Sequence, residues 1–77
     1  MLPVPGSWRA RREIDRLLAT RRARLARLAW AWSGDPVLAD DLVQEAYVRA
    51  VKAHRTLRDE KSADAWMTRI LHRVFLD

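Results

Sequence analysis

A chain of 77 residues, 49% hydrophobic and 32% charged, is one small domain: too apolar for wholesale disorder, and too short to bury more than a modest share of its surface. Without a cysteine it has no disulfide framework, thiol nucleophile or cysteine-held metal, and no apolar run reaches membrane-spanning length. The formal charge of +5 is polarised: residues 1–34 hold eight Arg against Glu13 and Asp15, a balance of +6, residues 35–53 come to −2 and residues 54–77 to +1, so a basic and an acidic segment point to two different partners.

Pro3, Pro5 and Gly6 interrupt the first residues, which predicts a poorly ordered N-terminal arm over residues 1–10, with Trp8 as a weak anchor. The stretch MLPVPGSW lacks the apolar segment of a secretory signal, and a soluble, cytoplasmic protein is expected. A first helix is expected from about Arg11 to Trp32, because Ile14, Leu17, Leu18, Leu25, Leu28, Ala29 and Trp32 recur three and four residues apart. Its remaining faces are arginine. Arg9, Arg11, Arg12, Arg16, Arg21, Arg22, Arg24 and Arg27 can follow a phosphate backbone, but arginine is also a good helix former whose stem covers apolar surface.

Ser33-Gly34-Asp35 is a short connector: Gly34 suits the left-handed end of one helix, Asp35 the cap of the next, and Pro36 its first position. The second helix, about residues 36–54, gathers Leu38, Ala39, Leu42, Val43, Ala46, Tyr47 and Ala50 on one broad side at roughly 100° per residue. The opposite side carries Asp40, Asp41, Gln44 and Glu45, with Val37 and Val48 among them. An acidic face with apolar residues inside it fits a docking surface for a basic partner; the other reading is a solvated face with two incidental valines. Its acids argue against a helix-turn-helix, in which this second helix would lie in the major groove.

The polar RTLRDEKSAD reads as a loop, with Ser62 capping a third helix from Ala63 to Leu76 and Asp64 in its first turn. Ala63, Trp66, Met67, Ile70, Leu71 and Val74 form its apolar side, with Trp66 in the core. Thr68, Arg69, His72 and Arg73 gather on the other side. Cations beside a ring suit single-stranded nucleic acid, since they hold phosphates while the ring stacks on unpaired bases, and Phe75 is the aromatic best placed for that. The elements together predict an all-α, compact three-helix bundle.

No catalytic constellation is present in the sequence. His54 and His72 fall on different elements without ligand spacing, no glycine loop cradles phosphate, and Asp40 and Asp41 are adjacent carboxylates on a solvent face. No enzyme activity, metal or cofactor is expected.

The segment LLATRRARLARLAWAWSGDPVLADDLVQEAYVRAVKAH, followed by AWMTRILHRVFLD, resembles the core-binding domain, region 2, of bacterial sigma factors of the sigma-70 family, particularly the extracytoplasmic-function group. The likeness covers about Ile14 to Asp77; GDPVLADDLVQEAYVRA is its most specific part and AWMTRILHRVFLD a second motif in the right order. It implies a helical domain that docks on the clamp helices of the largest subunit of core RNA polymerase and contributes to recognition and melting of the minus-ten promoter element. Polymerase contacts would then fall on Asp41, Gln44 and Glu45, with Asp40 and Val48 on the same face and Leu42 and Val43 packing. The non-template strand of promoter DNA would face Arg69, His72 and Arg73, with Phe75 beside them. Many members carry Asn where this chain has Arg73, so a phosphate contact rather than a base-specific one is expected there.

With Asp77 as its last residue, the sequence is expected to stop before the loop and basic helix with which such proteins read minus-ten bases, and before a domain for the minus-thirty-five element. It is therefore expected not to direct transcription alone, as a fragment of a longer sigma factor or as a truncated relative. Two other readings stay open: an interaction module that binds polymerase or an anti-sigma factor without a DNA role, and a basic amphipathic helix on anionic membranes through residues 9–32. The leading reading has no membrane partner.

Overall fold

The computed structural model describes residues 6–77 and, from Trp8 onward, their side chains. Three helices follow one another: α1 (Gly6–Ser33), α2 (Pro36–Lys52) and α3 (Ala63–Leu76), with two short 3-10 turns, His54–Thr56 and Glu60–Ser62, between α2 and α3. At about 1.5 Å per residue, α1 reaches nearly the full 48 Å of the long axis, while the other dimensions are 23 and 22 Å. Both later helices pack against it and against each other.

Helix α1 starts five residues before the expected Arg11. The breakers Pro3, Pro5 and Gly6 all stand at or before its first residue, whereas WRARRE after them favours a helix and Ala10 is buried. The expected arm is thus helical from Gly6 to Ala10, and its first five residues lie outside those described. Trp8, the expected weak anchor, is exposed.

At its other end α1 stops at Gly34, whose φ of +73° is open to glycine without a steric cost and whose N–H donates to the Trp30 carbonyl at 2.7 Å. One residue later, Asp35 Oδ1 accepts from the N–H groups of Val37 and Leu38 at 2.9 and 3.3 Å, with Pro36 at the start of the helix. A reversal this short leaves α2 little choice but to run back along α1.

The core takes Ile14, Leu17, Leu25 and Ala29 from α1, Ala39, Val43, Ala46 and Ala50 from α2, and Ala63, Trp66, Met67, Leu71 and Val74 from α3. Three alanines among the four buried positions of α2 let its backbone approach closely. Leu28, Trp32, Leu42, Tyr47 and Ile70 are half-buried around this centre. Leu38, expected on the apolar side, is 43% exposed. It stands about 100° from buried Ala39, at the margin of the acidic face.

The third helix spans the expected residues, but its cap differs. Ser62 makes no side-chain capping bond; Asp59 Oδ1 instead accepts from the Ser62 N–H at 2.9 Å and from its hydroxyl at 3.0 Å. The polar segment before α3 enters the helix through a 3-10 turn, so the capping role moves three residues upstream. The second helix likewise ends at Lys52, short of the expected His54, because Ala53 leaves helical geometry and a 3-10 turn follows.

Candidate functional site

Two surfaces of the bundle hold the residues singled out by the sequence. On α2, burying Ala39, Val43, Ala46 and Ala50 rotates Asp40, Asp41, Gln44, Glu45 and Val48 outward, and all five are exposed. Val37, Leu38 and Val48 stand among the acids at 72%, 43% and 42% exposure. The result is one continuous acidic strip with apolar side chains in it, held on a helix fixed at its start by Asp35. Leu38 is the residue of this strip that periodicity alone assigned to the core.

The strip is not uniform in charge. Arg49, one turn beyond Glu45, donates from Nε to Glu45 Oε1 at 3.4 Å, and its Nη1 lies 2.6 Å from Asp77 Oδ2. The Asp77 carboxylate is the main reason the Arg49 pKa is raised, with Glu45 adding to it. Asp40 and Asp41 have no ion-pair partner among the described residues, so they present the least compensated negative charge on α2.

On α3 the expected nucleic-acid residues divide into two groups. Arg69 and Arg73, one turn apart, are exposed along a shallow open groove that α3 forms with Ala53 and Thr56 and that Trp66 and Ile70 floor. Trp66 itself is in the core at 6% exposure, and its indole N–H donates to the Thr56 hydroxyl at 2.8 Å. His72 and Phe75 sit on the other flank, against Trp32 of α1. The Trp32 ring meets His72 edge-on at 5.2 Å and Phe75 tilted at 5.8 Å between centroids. Phe75 is half-buried there, with part of its ring already in contact with Trp32.

Thr68 has a structural partner. Its hydroxyl accepts from Arg24 Nη2 at 2.9 Å and donates to the Asp64 carbonyl at 2.7 Å. Arg21 pairs with the Asp64 carboxylate, and Arg16 bridges Glu13 and Glu60 at 2.8 and 2.9 Å. Three of the arginines of α1 thereby tie it to α3 and to the turn before it. Sequence reasoning had no access to these pairs, which join residues more than forty positions apart. On the α2 side, partial burial and the nearby Asp15 carboxylate push the Tyr47 phenol above its ordinary pKa.

Among the described residues no cluster of three or more His, Asp or Glu side chains is arranged to hold a metal ion, and no helix is long and apolar enough to cross a membrane. The apolar side of α1 is committed to the core, which removes the stripe that a membrane-lying helix would insert.

Comparison with protein families matches the Sigma-70 region 2 model over residues 17–77. Comparisons with curated proteins and with solved structures return no match.

Proposed function

The chain belongs to the Sigma-70 region 2 family, a domain of transcription initiation factors, and on that premise we propose that it docks on the clamp helices of core RNA polymerase through α2 and contributes to opening of the minus-ten element through α3. The observation that carries this reading is the exposed strip Asp40, Asp41, Gln44, Glu45 and Val48, backed by buried Ala39, Val43 and Ala46. Negative charge with apolar side chains inside it complements a basic helical partner. The charge steers association, and the valines and Leu38 supply area that loses water on contact. Arg69 and Arg73, on the groove beside α3, are the cations offered to the non-template strand of promoter DNA. The chain acts by binding, as a cytoplasmic, non-enzymatic factor.

Equilibrium binding to purified core RNA polymerase tests the docking face. An Asp41→Lys variant and a Gln44→Ala/Glu45→Ala variant lose tenfold or more in affinity, in line with about 1.5–3 kcal/mol for a hydrogen bond to a charged group. Arg12→Ala, on the side of α1 turned away from α2, leaves affinity near that of the parent. Equal losses from α1 and α2 variants, or no binding by the parent chain, overturn the assignment.

A second reading keeps the docking and drops the DNA, leaving a module that occupies polymerase or an anti-sigma factor. The placement of Phe75 against Trp32 favours it, because a ring packed within the bundle has less of its face to offer a base. Binding of a single-stranded minus-ten oligonucleotide in the presence of core polymerase separates the two: binding that Arg69→Gln/Arg73→Gln weakens supports the promoter role, and none supports the second reading.

A further inference from the structure

The side of α1 turned away from α2 and α3 has no role in the readings above. Arg9 and Arg27 are five full helical turns apart and stand on one line of the helix; Arg12 and Trp30, spaced the same way, stand on a neighbouring line about 60° away. All four are exposed, Trp30 at 54%. Arg9, Arg12 and Arg27 have no acidic partner among the described residues. Glu13 is the acid on this flank, and Arg16 holds it at 2.8 Å. Between the two ends lie Arg16, already held by Glu13 and Glu60, and the small exposed Ala19 and Ala23, so the face is cationic at its ends and smooth between them.

We propose that this outer face of α1 tracks the phosphate backbone of duplex DNA without reading sequence, as a surface separate from α3. The distance from Arg9 to Arg27 is roughly 27 Å along the helix, or about eight base-pair rises of 3.4 Å along the duplex axis, so the two ends reach separate stretches of the phosphate backbone. Charge complementarity selects a polyanion. Its form selects the duplex: a single strand needs successive rings to stack on, whereas Trp8 and Trp30 lie at opposite ends of the face, and a stiff rod with cations at both ends suits phosphates that only the duplex holds at a fixed separation. A membrane is a poorer match because the apolar stripe of α1 is buried and the outer face offers for insertion only Trp8 and Trp30, at its two ends, with no continuous apolar strip between them.

The test uses the whole chain without polymerase, so that it stands or falls independently of the docking reading. Affinity for a short duplex of random sequence is measured by fluorescence anisotropy over a range of salt. The variant Arg9→Gln/Arg12→Gln/Arg27→Gln is compared with a control of equal charge change, Arg55→Gln/Arg58→Gln/Lys61→Gln, in the connector before α3, after circular dichroism shows both to be folded. Each lost phosphate contact lowers the slope of log K against log salt by about 0.9, so the α1 variant loses about two to three units and the control keeps most of its slope. Equal loss in both variants makes the effect one of net charge and overturns the proposal, as does no duplex binding by the parent. Binding of the parent to phosphatidylglycerol vesicles that the α1 variant abolishes, with duplex binding unchanged, overturns it in favour of a lipid surface.

Discussion

The indole N–H of Trp66 donates to the hydroxyl of Thr56 at 2.8 Å, so the central aromatic of α3 is fastened to the 3-10 turn that ends the α2 segment. Both residues border the groove beside Arg69 and Arg73. The bond therefore couples core packing to the shape of a candidate binding surface.

Thr56→Val keeps the shape of the side chain and removes the acceptor, leaving a largely buried N–H without a partner. The expected cost is about 1–3 kcal/mol, and Thr56→Ser retains most of the stability. Urea unfolding monitored by circular dichroism checks both. Equal stability of the Val and Ser variants would show that water satisfies the indole as well as the hydroxyl does.

The reversal between α1 and α2 rests on two adjacent residues of different chemistry. Asp35→Ala removes the acceptor for the Val37 and Leu38 N–H groups and is expected to cost about 1 kcal/mol. Gly34→Ala meets no neighbouring atom, so its destabilisation, about 1 kcal/mol, comes from the φ of +73° alone. In a domain of this size each lowers the thermal midpoint by about 4–8 °C. Asn at position 34, which tolerates the left-handed region better than Ala, recovers part of the loss.

The apolar members of the acidic strip separate binding from folding. Val37→Ser acts on an exposed side chain and is expected to change stability by no more than about 0.5 kcal/mol, whereas Leu38→Ser, at a side chain more than half covered, costs about 1 kcal/mol. If the strip docks as proposed, the pair weakens association with core polymerase severalfold, mainly through faster dissociation. Unchanged dissociation in a surface-binding assay would confine the interface to the acidic residues.

Acid reports on the tie between α1 and the turn before α3. Hydrogen bonding and attraction from Arg16 lower the Glu60 pKa below its ordinary 4.5. A depressed folded-state value means that this contribution to stability is present above the unfolded value and is lost as pH falls from about 4.5 through the folded one. Denaturation midpoints of the parent thus fall over that acid window, and Glu60→Gln flattens the part of the slope that this group supplies. Because the pair is exposed, added salt weakens the effect.

The division of α2 into a buried and an outward side was legible as soon as Ala39, Val43, Ala46 and Ala50 were seen at helical spacing, because that geometry depends only on positions three and four apart. The same holds for the caps Gly34 and Asp35 and for Trp66 in the centre of the α3 stripe. Leu38 was misassigned for a related reason: periodicity places a side chain on an angle but says nothing of how far a neighbouring helix reaches over it. Ser62 makes no capping bond because the chain begins to coil three residues before the expected start, in a 3-10 turn that Asp59 caps instead.

The sequence by itself determined three helices, their apolar sides, the exposed acidic strip and the motifs by which the chain resembles its family, since all of these are set by local spacing and residue type. Tertiary structure alone decided which charges are left over. Packing α3 against α1 brings Arg16, Arg21 and Arg24 onto Glu60, Asp64 and Thr68, while Arg9, Arg12 and Arg27 face away. It also lays Phe75 on Trp32 and leaves Arg69 and Arg73 over the groove. Those outcomes depend on the angle and register at which two helices cross, a property of the interdigitated side chains of both, which the spacing along either helix does not contain.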